Sequence, residues 1–456
     1  MCTPWHRKDN SKGRRNMEPV EKNAEVENSQ GGPYAWYALF VLIVAYTFSY
    51  LDRQALTLMV GPIRKSLDIS DTQLSLLHGL AFAIFYTLLG LPIGRLVDGH
   101  RRTTIIAIGI AIWSIMTALC GLAKNFTHMF LARIGVGVGE AALSPGAYSL
   151  ISDYFPQRTR PIALSLYLSA VYVGSGLATI IGGALISVMP AFDAPFVGYL
   201  EPWQAVFIVI GLPGILVAIW VLTMREPART GKKIGLEPTM GATFRYVWAN
   251  RKTYLTFIMG YAMFTLMWTS ATAWYPEYFM RIFGWTTSEV GTRFGLTLMI
   301  AGAAGVLLGG MLSTKLRDRG KLDGGILTAI IAAAIALPAG LISCSLGTAW
   351  GTLAAVFVFQ FGCAMPFGAA AAALQEITPN QMRGQVTAIY LFAANMFGIG
   401  LGPTVVALIT DRVFRDDLAL GSSIFVAIGI SGPLTLVLLW FARSTYKKTL
   451  ANVDFS

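Results

Sequence analysis

The sequence predicts an all-α membrane protein with twelve transmembrane helices in two pseudo-symmetric bundles of six. Of the 456 residues, 55% are hydrophobic and 13% are charged, with a mean hydropathy of +0.59. Soluble domains carry about 25% charged residues. Twelve apolar stretches are long enough for a helix to cross a bilayer, which needs about 20 residues. A repeat between the two halves of the chain supports the division into six and six.

The apolar stretches set the expected order of segments. The first six cover residues 37–63, 74–96, 103–123, 127–155, 161–189 and 203–224, and the second six cover 253–280, 287–312, 325–346, 349–374, 385–410 and 421–442. Helices 1 to 12 are numbered in this order. The domains expected from them are a disordered cytoplasmic tail (1–33), an N-terminal bundle (34–224), a basic cytoplasmic linker (225–252), a C-terminal bundle (253–442) and a cytoplasmic tail (443–456).

The two halves repeat in sequence. The segment DYFPQRTR, which begins at Asp153, is matched 223 residues later by EITPNQMR, which begins at Glu376. An acid, a proline and an arginine keep their register in the two copies. Internal repeats of this kind are typical of secondary transporters. The chain is therefore predicted to be a tandem duplication.

The distribution of Lys and Arg predicts the orientation. With the N-terminus inside, 26 of the 35 basic residues lie in the tails and the even-numbered loops. Basic loops stay on the cytoplasmic side, so both termini are expected there. Short loops and a small tail favour a bacterial inner membrane. The basic linker either lies on anionic lipid headgroups or serves only as an orientation signal and connection.

Four charged residues interrupt the apolar helices. Helix 1 carries Asp52 and Arg53, and helix 4 carries Arg133 and Glu140. Each charge inside a membrane costs roughly 2.5–3.5 kcal/mol on insertion scales, so such residues usually face a cavity or each other. Seven residues make two helical turns, which puts Arg133 and Glu140 on one face about 10 Å apart. The pairs are expected to neutralise one another, either as a working centre or as a structural ion-pair cluster.

Several other functions are not indicated. No phosphate-binding GxxxxGK[ST] loop occurs, and Gly135, Gly137 and Gly139 lie inside an apolar span, where they suit close helix packing. We find no nucleophile–base set and no metal-ligand spacing. The expected protein is therefore not an enzyme, has no cofactor or metal, and binds no nucleic acid. We expect a monomer.

A second charged constellation lies between helices 2 and 3. The segment GRLVDGHRR, residues 94–102, resembles the signature of the major facilitator superfamily at this place. In that family such residues latch the two halves together on the cytoplasmic side. The resemblance implies a gate of six residues: Gly94, Asp98, Arg101, Arg102, Asp153 and Arg160. A positive-inside cluster without a gating role is the alternative.

Further motifs are similar to the spinster branch of that superfamily. They are LDR at residue 51, RIGVGVGEA at 133, VGSGL at 173 and MRGQVTAIYL at 382. The resemblance implies that Asp52, Arg53, Arg133 and Glu140 bind substrate and protons. Candidate cavity-lining residues, chosen by position, are Trp274, Tyr275, Phe361, Tyr390 and Asn395.

The function expected from these observations is alternating-access, proton-coupled transport through the lipid bilayer. The cargo would be an anionic or zwitterionic amphiphile, such as a lysophospholipid or a lipid like sphingosine phosphate. Arg53 and Arg133 would hold its head, because guanidinium groups bind phosphate in a bidentate manner. Asp52 or Glu140 would take the proton. A small water-soluble organic anion is the alternative cargo.

Overall fold

The computed structural model describes residues 31–156, 158–194, 198–229 and 240–451. Within these ranges the chain forms the twelve predicted membrane helices, so the predicted fold class is confirmed. Residues 1–30 of the expected N-terminal tail lie outside the described part of the chain, as do residues 230–239 of the linker.

The first bundle contains three continuous and three divided helices. Helix 1 is Pro33–Leu58, helix 3 is Arg102–Cys120 and helix 5 is Arg160–Val188. Helix 2 consists of Asp71–Ser75, a π-helical turn Leu76–Leu80 and Ala81–Gly99; helix 4 consists of Phe126–Glu140 and Leu143–Tyr154; helix 6 consists of Pro202–Gly211 and Pro213–Leu222. A short helix, Val60–Leu67, follows helix 1, and strands β1 (Phe192–Ala194) and β2 (Gly198–Leu200) pair antiparallel after helix 5.

The second bundle contains four continuous and two divided helices. Helix 7 is Arg251–Phe283, helix 8 is Thr287–Asp318, helix 9 is Gly324–Ser343 and helix 12 is Leu420–Ala451. Helix 10 consists of Ala349–Ala364 and Phe367–Glu376, and helix 11 of Arg383–Ala393, Ala394–Gly400, Gly402–Leu408 and Ile409–Phe414. A separate helix, Met240–Ala249, precedes helix 7 and is called the linker helix below.

Several helix boundaries differ from the sequence expectation, among them the ends of helices 1, 8 and 12. Helix 1 ends at Leu58 rather than at residue 63, and the chain continues in a separate short helix. Helix 12 runs past residue 442 to Ala451, because Tyr446 is buried and donates a hydrogen bond to the Ala373 carbonyl at 2.9 Å. Part of the expected C-terminal tail is therefore packed helix.

Ten helices in the described ranges are long and apolar enough, by length and composition, to cross a membrane. Helices 4 and 7 are not among these ten. Helix 4 carries the charged residues Arg133 and Glu140, and helix 7 is rich in tyrosine, threonine and tryptophan. Both nevertheless occupy their places in the repeated order of six.

The helices alternate in direction, which defines two faces of the molecule. We call the face with the start of helix 1 and the end of helix 12 the terminal face, and the other the loop face. The bundles meet closely in the loop-face half of helices 5 and 8. A Cβ at Gly183 would lie 2.8 Å from the Cα of Gly291, and a Cβ at Gly176 would lie 2.4 Å from the Gly295 carbonyl oxygen. Glycine at these positions lets the two backbones touch.

Helices 2 and 11 also meet in this half. A Cβ at Gly79 would lie 2.6 Å from the carbonyl oxygens of Ile399 and Gly400. By contrast, a Cβ at Gly94 or Gly310, near the terminal face, would meet no atom within 4 Å. The close contact between the bundles is therefore concentrated toward the loop face.

We expect Gly183→Ala to destabilise the protein and Gly310→Ala to leave it unchanged or more stable. The added methyl at 183 overpacks the interface, which typically costs about 1–3 kcal/mol. At 310 it meets nothing, and alanine favours a helix over glycine by about 1 kcal/mol. Thermal unfolding in detergent would measure both. Equal melting temperatures for the two variants would contradict the assigned close contact.

Candidate functional site

Helices 1 and 4 are joined by a buried ion pair. The Glu140 Oε2 atom accepts hydrogen bonds from Arg53 Nε at 2.9 Å and from Ser49 Oγ at 2.5 Å, and Arg53 Nη2 also contacts it. Glu140 is 1% exposed, whereas the Arg53 side chain is 18% exposed. Glu140 is therefore sealed from solvent, whereas the Arg53 side chain of the same pair is partly accessible to it.

The glycines of helix 4 allow this approach. A Cβ at Gly137 would lie 2.7 Å from the Phe82 carbonyl oxygen, and a Cβ at Gly139 would lie 2.6 Å from the Gly109 carbonyl oxygen. Helix 4 thus packs directly on the backbones of helices 2 and 3, which supports the packing interpretation of the glycine run. Glu140 follows the last of these glycines and is carried into the interior of the bundle.

Aromatic rings surround the Arg53 guanidinium. Its central carbon lies 4.4 Å from the Phe82 ring centroid, 5.0 Å from that of Tyr50 and 5.5 Å from that of Tyr86. Cation–π contacts of this kind stabilise a desolvated guanidinium. The rings hold Arg53 in place without taking up its hydrogen-bonding capacity.

Asp52 and Arg133 lie beside this pair but bind other partners. Asp52 accepts a hydrogen bond from Thr117 of helix 3 at 2.9 Å, and Arg133 Nε donates to the Leu77 carbonyl at 3.2 Å. Leu77 belongs to the π-helical turn of helix 2, and such turns are frequent at functional sites. The guanidinium carbons of Arg53 and Arg133 both lie against the Phe82 ring, 4.4 and 5.9 Å from its centroid. The structure thus brings the four predicted residues together, with Asp52 turned toward helix 3.

Two atoms of this cluster are buried and have no hydrogen-bond partner among the residues that the structure describes: Arg133 Nη1 and Glu140 Oε1. Most buried polar side-chain atoms in proteins are satisfied, so exceptions call for an explanation. One is a donor and the other an acceptor. The polar centre can therefore offer hydrogen bonds to a further group.

Sequence reasoning missed a group of tyrosines next to the centre. Tyr46 and Tyr167 stack with centroids 4.8 Å apart, Tyr148 meets Tyr167 edge-on at 5.7 Å, and Tyr46 lies 5.3 Å from Tyr50. The available signal was the spacing of Tyr46, Tyr50 and Arg53 by four and three residues, which puts them on one helix face. This aromatic surface lines the first bundle beside Arg53.

The second bundle contributes residues that position alone did not identify. Trp268 Nε1 donates to Gln360 Oε1 at 2.9 Å, and Gln360 Nε2 donates to Thr272 Oγ1 at 2.8 Å. The Trp268 ring lies 6.1 Å from that of Tyr172, across the boundary between the bundles. An amide in an otherwise apolar span was the sequence signal for Gln360.

The five candidate lining residues have different positions. Trp274 is buried toward the loop face, where its Nε1 donates to the Pro403 carbonyl at 2.9 Å, and Tyr275 is buried in the second bundle, bonded to Ser343 at 2.8 Å. Along helix 7, these two residues lie six and seven positions beyond Trp268, toward the loop face. Both side chains belong to packed cores there. The remaining three are half-buried: Phe361, Tyr390 and Asn395.

Ion pairs at the terminal face join helices within each bundle. Arg102 contacts Asp153 and donates to Glu226 at 2.6 Å in the first bundle. Burial alone would raise the pKa of the Glu226 carboxyl, but hydrogen bonds from Arg102 and the Thr103 amide outweigh it and hold that pKa below its ordinary value. In the second bundle, Arg317 contacts Glu376, the repeat counterpart of Asp153.

Other predicted gate residues lie near this cluster. Arg160 donates to the Phe155 carbonyl at 3.4 Å, Arg101 is the exposed N-cap residue of helix 3, and Gly94 lies in helix 2. The Asp98 side chain lies outside the described parts of the structure. Arg102 and Arg160 bond to residues of the first bundle, and Arg102 also bonds to Glu226 and Pro227 at the start of the linker.

A second charge network, unpredicted from the sequence, crosses between the bundles at the loop face. Arg281 of helix 7 binds the fully buried Asp71 of helix 2 through Nη1 at 2.9 Å and Nη2 at 3.3 Å. Arg64 reaches both Asp71 at 3.1 Å and Asp417 at 3.0 Å. We call Arg64, Asp71, Arg281 and Asp417 the loop-face latch.

Neighbouring groups reinforce the latch. Asp411 of helix 11 accepts hydrogen bonds from the amide and the hydroxyl of Thr72 at 2.8 and 2.7 Å. Carboxylate oxygens of Asp71, Asp411 and Asp417 lie within 4.8 Å of one another, a separation that would also suit a cation. Arg64 and Arg281 already supply the positive charge there. The latch therefore holds the loop-face ends of the two bundles together.

Comparison with known proteins identifies the family. The family model of the Major Facilitator Superfamily matches residues 42–403. An MFS-type efflux pump of Mycolicibacterium smegmatis is 26% identical over 91% of this chain and 94% of its own. A probable galactarate/D-glucarate transporter of Bacillus subtilis is 26% identical over 89% of this chain and 91% of its own.

A solved structure gives the same result. The crystal structure of a bacterial homolog of the human lysosomal transporter Spinster, in an inward-facing and unoccupied conformation, matches with a TM-score of 0.75 and 28% identity. The match covers 92% of this chain and 98% of that one. The chain therefore belongs to the Major Facilitator Superfamily, a family of membrane transporters rather than enzymes, and it is similar to the spinster proteins.

Proposed function

We propose that the protein is a proton-coupled secondary transporter that moves an anionic or zwitterionic amphiphile by alternating access. The observation that carries this proposal is the Arg53–Glu140 pair, in which the arginine is accessible and the glutamate is sealed. An anionic headgroup can compete for the arginine without first having to reach the acid.

Exchange of partners would couple cargo to protons. A phosphate or carboxylate takes the Arg53 guanidinium through paired charged hydrogen bonds. Glu140 then remains buried without its counter-ion, and an uncompensated buried charge is strongly unfavourable. Taking up a proton removes that cost. Ser49 keeps its hydrogen bond to Glu140 in either state, so the acid stays in position.

Arg133 and Asp52 have supporting roles in this proposal. The Arg133 Nη1 atom, which has no partner in the described part of the chain, supplies a second donor for the headgroup. Asp52 is a second acid that can take the proton, held by its hydrogen bond from Thr117. The two arginines would bind the phosphate, and a neighbouring carboxylate would be ready to take the proton. Together these groups would make one connected site.

The aromatic residues beside Arg53 favour an amphiphile. Tyr172 of helix 5 lies 6.1 Å from Trp268 and 5.8 Å from Phe367, so rings from both bundles meet next to the polar centre. Tyr50 belongs to the same cluster and also contacts Arg53. An apolar chain attached to the headgroup would lie against these rings.

A small organic anion remains the second candidate. The relative named as a probable galactarate/D-glucarate transporter aligns over most of its length. The same arginines would hold a sugar-acid carboxylate, and Gln360 with the tyrosine hydroxyls would bind its hydroxyl groups. This cargo would need no apolar path.

The structure would represent the inward-facing state. Its close contacts and the latch lie at the loop face, and the similar solved structure is described as inward-facing. The protein would be a monomer in a bacterial inner membrane, with both termini cytoplasmic. Bundles 34–224 and 253–442 would rock against each other. When the loop face opens, a terminal-face gate would form from Gly94, Asp98, Arg101, Arg102, Asp153 and Arg160.

We expect Glu140→Gln to reduce pH-gradient-driven uptake by about tenfold or more, equivalent to about 1.4 kcal/mol, because the amide cannot take up the proton. Exchange of internal for external cargo, which needs no net proton movement, should persist. Uptake into proteoliposomes with an imposed pH gradient would measure both. Glu289→Gln, which changes an acid at the loop-face end of helix 8, should behave like the unmodified protein. Unchanged gradient-driven uptake in both Glu140→Gln and Asp52→Asn would remove the proton role.

We expect uptake of a labelled lysophospholipid to be inhibited by unlabelled lysophospholipid and unaffected by D-glucarate. The reason is that the aromatic surface beside Arg53 would bind the apolar chain of a lysophospholipid. Competition assays in one proteoliposome preparation would test it. Inhibition by glucarate alone, with glucarate uptake by the same vesicles, would assign the small-anion function instead.

We expect Asp71→Asn to open the loop face more often, because it removes the acid shared by Arg64 and Arg281. A population shift of about 1.4 kcal/mol would change the open fraction about tenfold. The measurement is labelling of a cysteine at Ser75, beneath the latch, by a membrane-impermeant thiol reagent from the loop-face side. Glu289→Gln breaks an exposed pair within one bundle and serves as the control. Equal labelling rates in the two variants would contradict the role of the latch.

A further inference from the structure

The linker helix has an exposed apolar stripe. Met240, Phe244 and Trp248 are 56%, 62% and 56% exposed. A spacing of four residues puts all three on one face of the helix. The rings of Phe244 and Trp248 stack at 18° with centroids 6.0 Å apart, so they form one continuous surface. Large aromatic residues exposed in this way need a covering partner.

An adjacent face of the linker helix is fixed to the second bundle. Thr243 and Val247 are buried there. Tyr246 donates a hydrogen bond to the Ile377 carbonyl at 3.1 Å, and its ring meets that of Tyr254 edge-on at 6.0 Å. These contacts set the rotation of the helix, so the aromatic stripe points away from the protein.

Basic residues accompany the stripe. Arg245, Arg251 and Lys252 are exposed, and the Arg251 guanidinium lies 5.7 Å from the Trp248 ring. In the sequence, no Asp or Glu occurs between Glu237 and Glu277. The linker helix and the start of helix 7 therefore present aromatic and positive groups together and carry no acid in their own sequence.

The position of the helix indicates what covers it. The linker helix ends at Ala249, two residues before helix 7 begins at Arg251. Leu255, one turn into helix 7, is exposed as well. Helices with an aromatic face and flanking bases lie in the interface of a bilayer. Tryptophan favours the headgroup level. Charge and continuity with the membrane-facing surface both point to lipid.

We propose that the linker helix binds the anionic lipid surface at the terminal face, independently of which cargo is transported. Met240, Phe244 and Trp248 insert at the boundary between headgroups and acyl chains. Arg245, Arg251 and Lys252 bind lipid phosphates, whose negative potential attracts such clusters. Because the helix is fixed to the end of helix 10 and leads into helix 7, bound lipid holds the terminal-face end of the second bundle against the membrane.

Depth measurements on the full-length protein in liposomes test the insertion. Nitroxide labels are placed singly at Phe244→Cys, Trp248→Cys and Ala249→Cys, in a background with the native cysteines replaced. Collision with oxygen, which concentrates in the acyl region, is compared with collision with a water-soluble nickel chelate. We expect oxygen to dominate at 244 and 248 and the chelate to dominate at 249, which is exposed but lies off the stripe.

Either of two other results would overturn the proposal. Chelate-dominated collisions at 244 and 248 would show that the stripe faces water. Shielding from both reagents would show that protein covers it, either residues 230–239 of the linker or a partner.

A charge-matched pair of variants tests the lipid specificity. The triple change Arg245→Gln, Arg251→Gln and Lys252→Gln should reduce the phosphatidylglycerol retained by the protein in native mass spectrometry at least twofold. The control triple change, Lys315→Gln, Arg319→Gln and Lys321→Gln, removes three exposed charges at the same face and should retain it. Equal retention by the two variants, whether high or low, would contradict binding at the linker helix.

Discussion

An ion pair inside an apolar bundle is the constraint around which this protein is organised. Arg53 and Glu140 would each be costly alone in a membrane, so neither helix 1 nor helix 4 can move without the other. The glycines of helix 4 bring the acid close enough, and Phe82 covers the base. The arrangement leaves the Arg53 side chain partly accessible, and a transport mechanism based on exchange of partners requires that accessibility.

The remaining ion pairs divide by location into two mechanical roles. At the terminal face, Arg102 with Asp153 and Arg317 with Glu376 tie helices within their own bundle. At the loop face, Arg281 and Asp71 tie one bundle to the other. Each bundle is therefore stiffened as a unit, while opening of the loop face must break both the latch and the close packing of helices 5 and 8. This distribution suits two bodies that rock against each other.

The repeat is preserved in architecture but not in chemistry. Asp153 and Glu376 keep equivalent roles in the two copies, since both are partners of an arginine at the terminal face. The buried charges occur only in the first bundle among the described residues of the central site. The second bundle contributes Trp268 and Gln360 there, an aromatic ring and an amide. Cargo would therefore be bound by charge on one side and by shape and hydrogen bonds on the other.

The amino-acid sequence alone predicted the twelve helices, their six-plus-six order and the four charges inside the membrane helices, because hydropathy, repeat register and helical periodicity are local properties. Tertiary structure decided which groups those charges contact. Asp52 turns to Thr117, and Arg133 bonds to a carbonyl in a π-helical turn of helix 2. Arg281 meets Asp71 across 210 residues, while Trp274 and Tyr275 point into packed cores. Such contacts depend on how distant helices are rotated and tilted against one another, which no local pattern encodes.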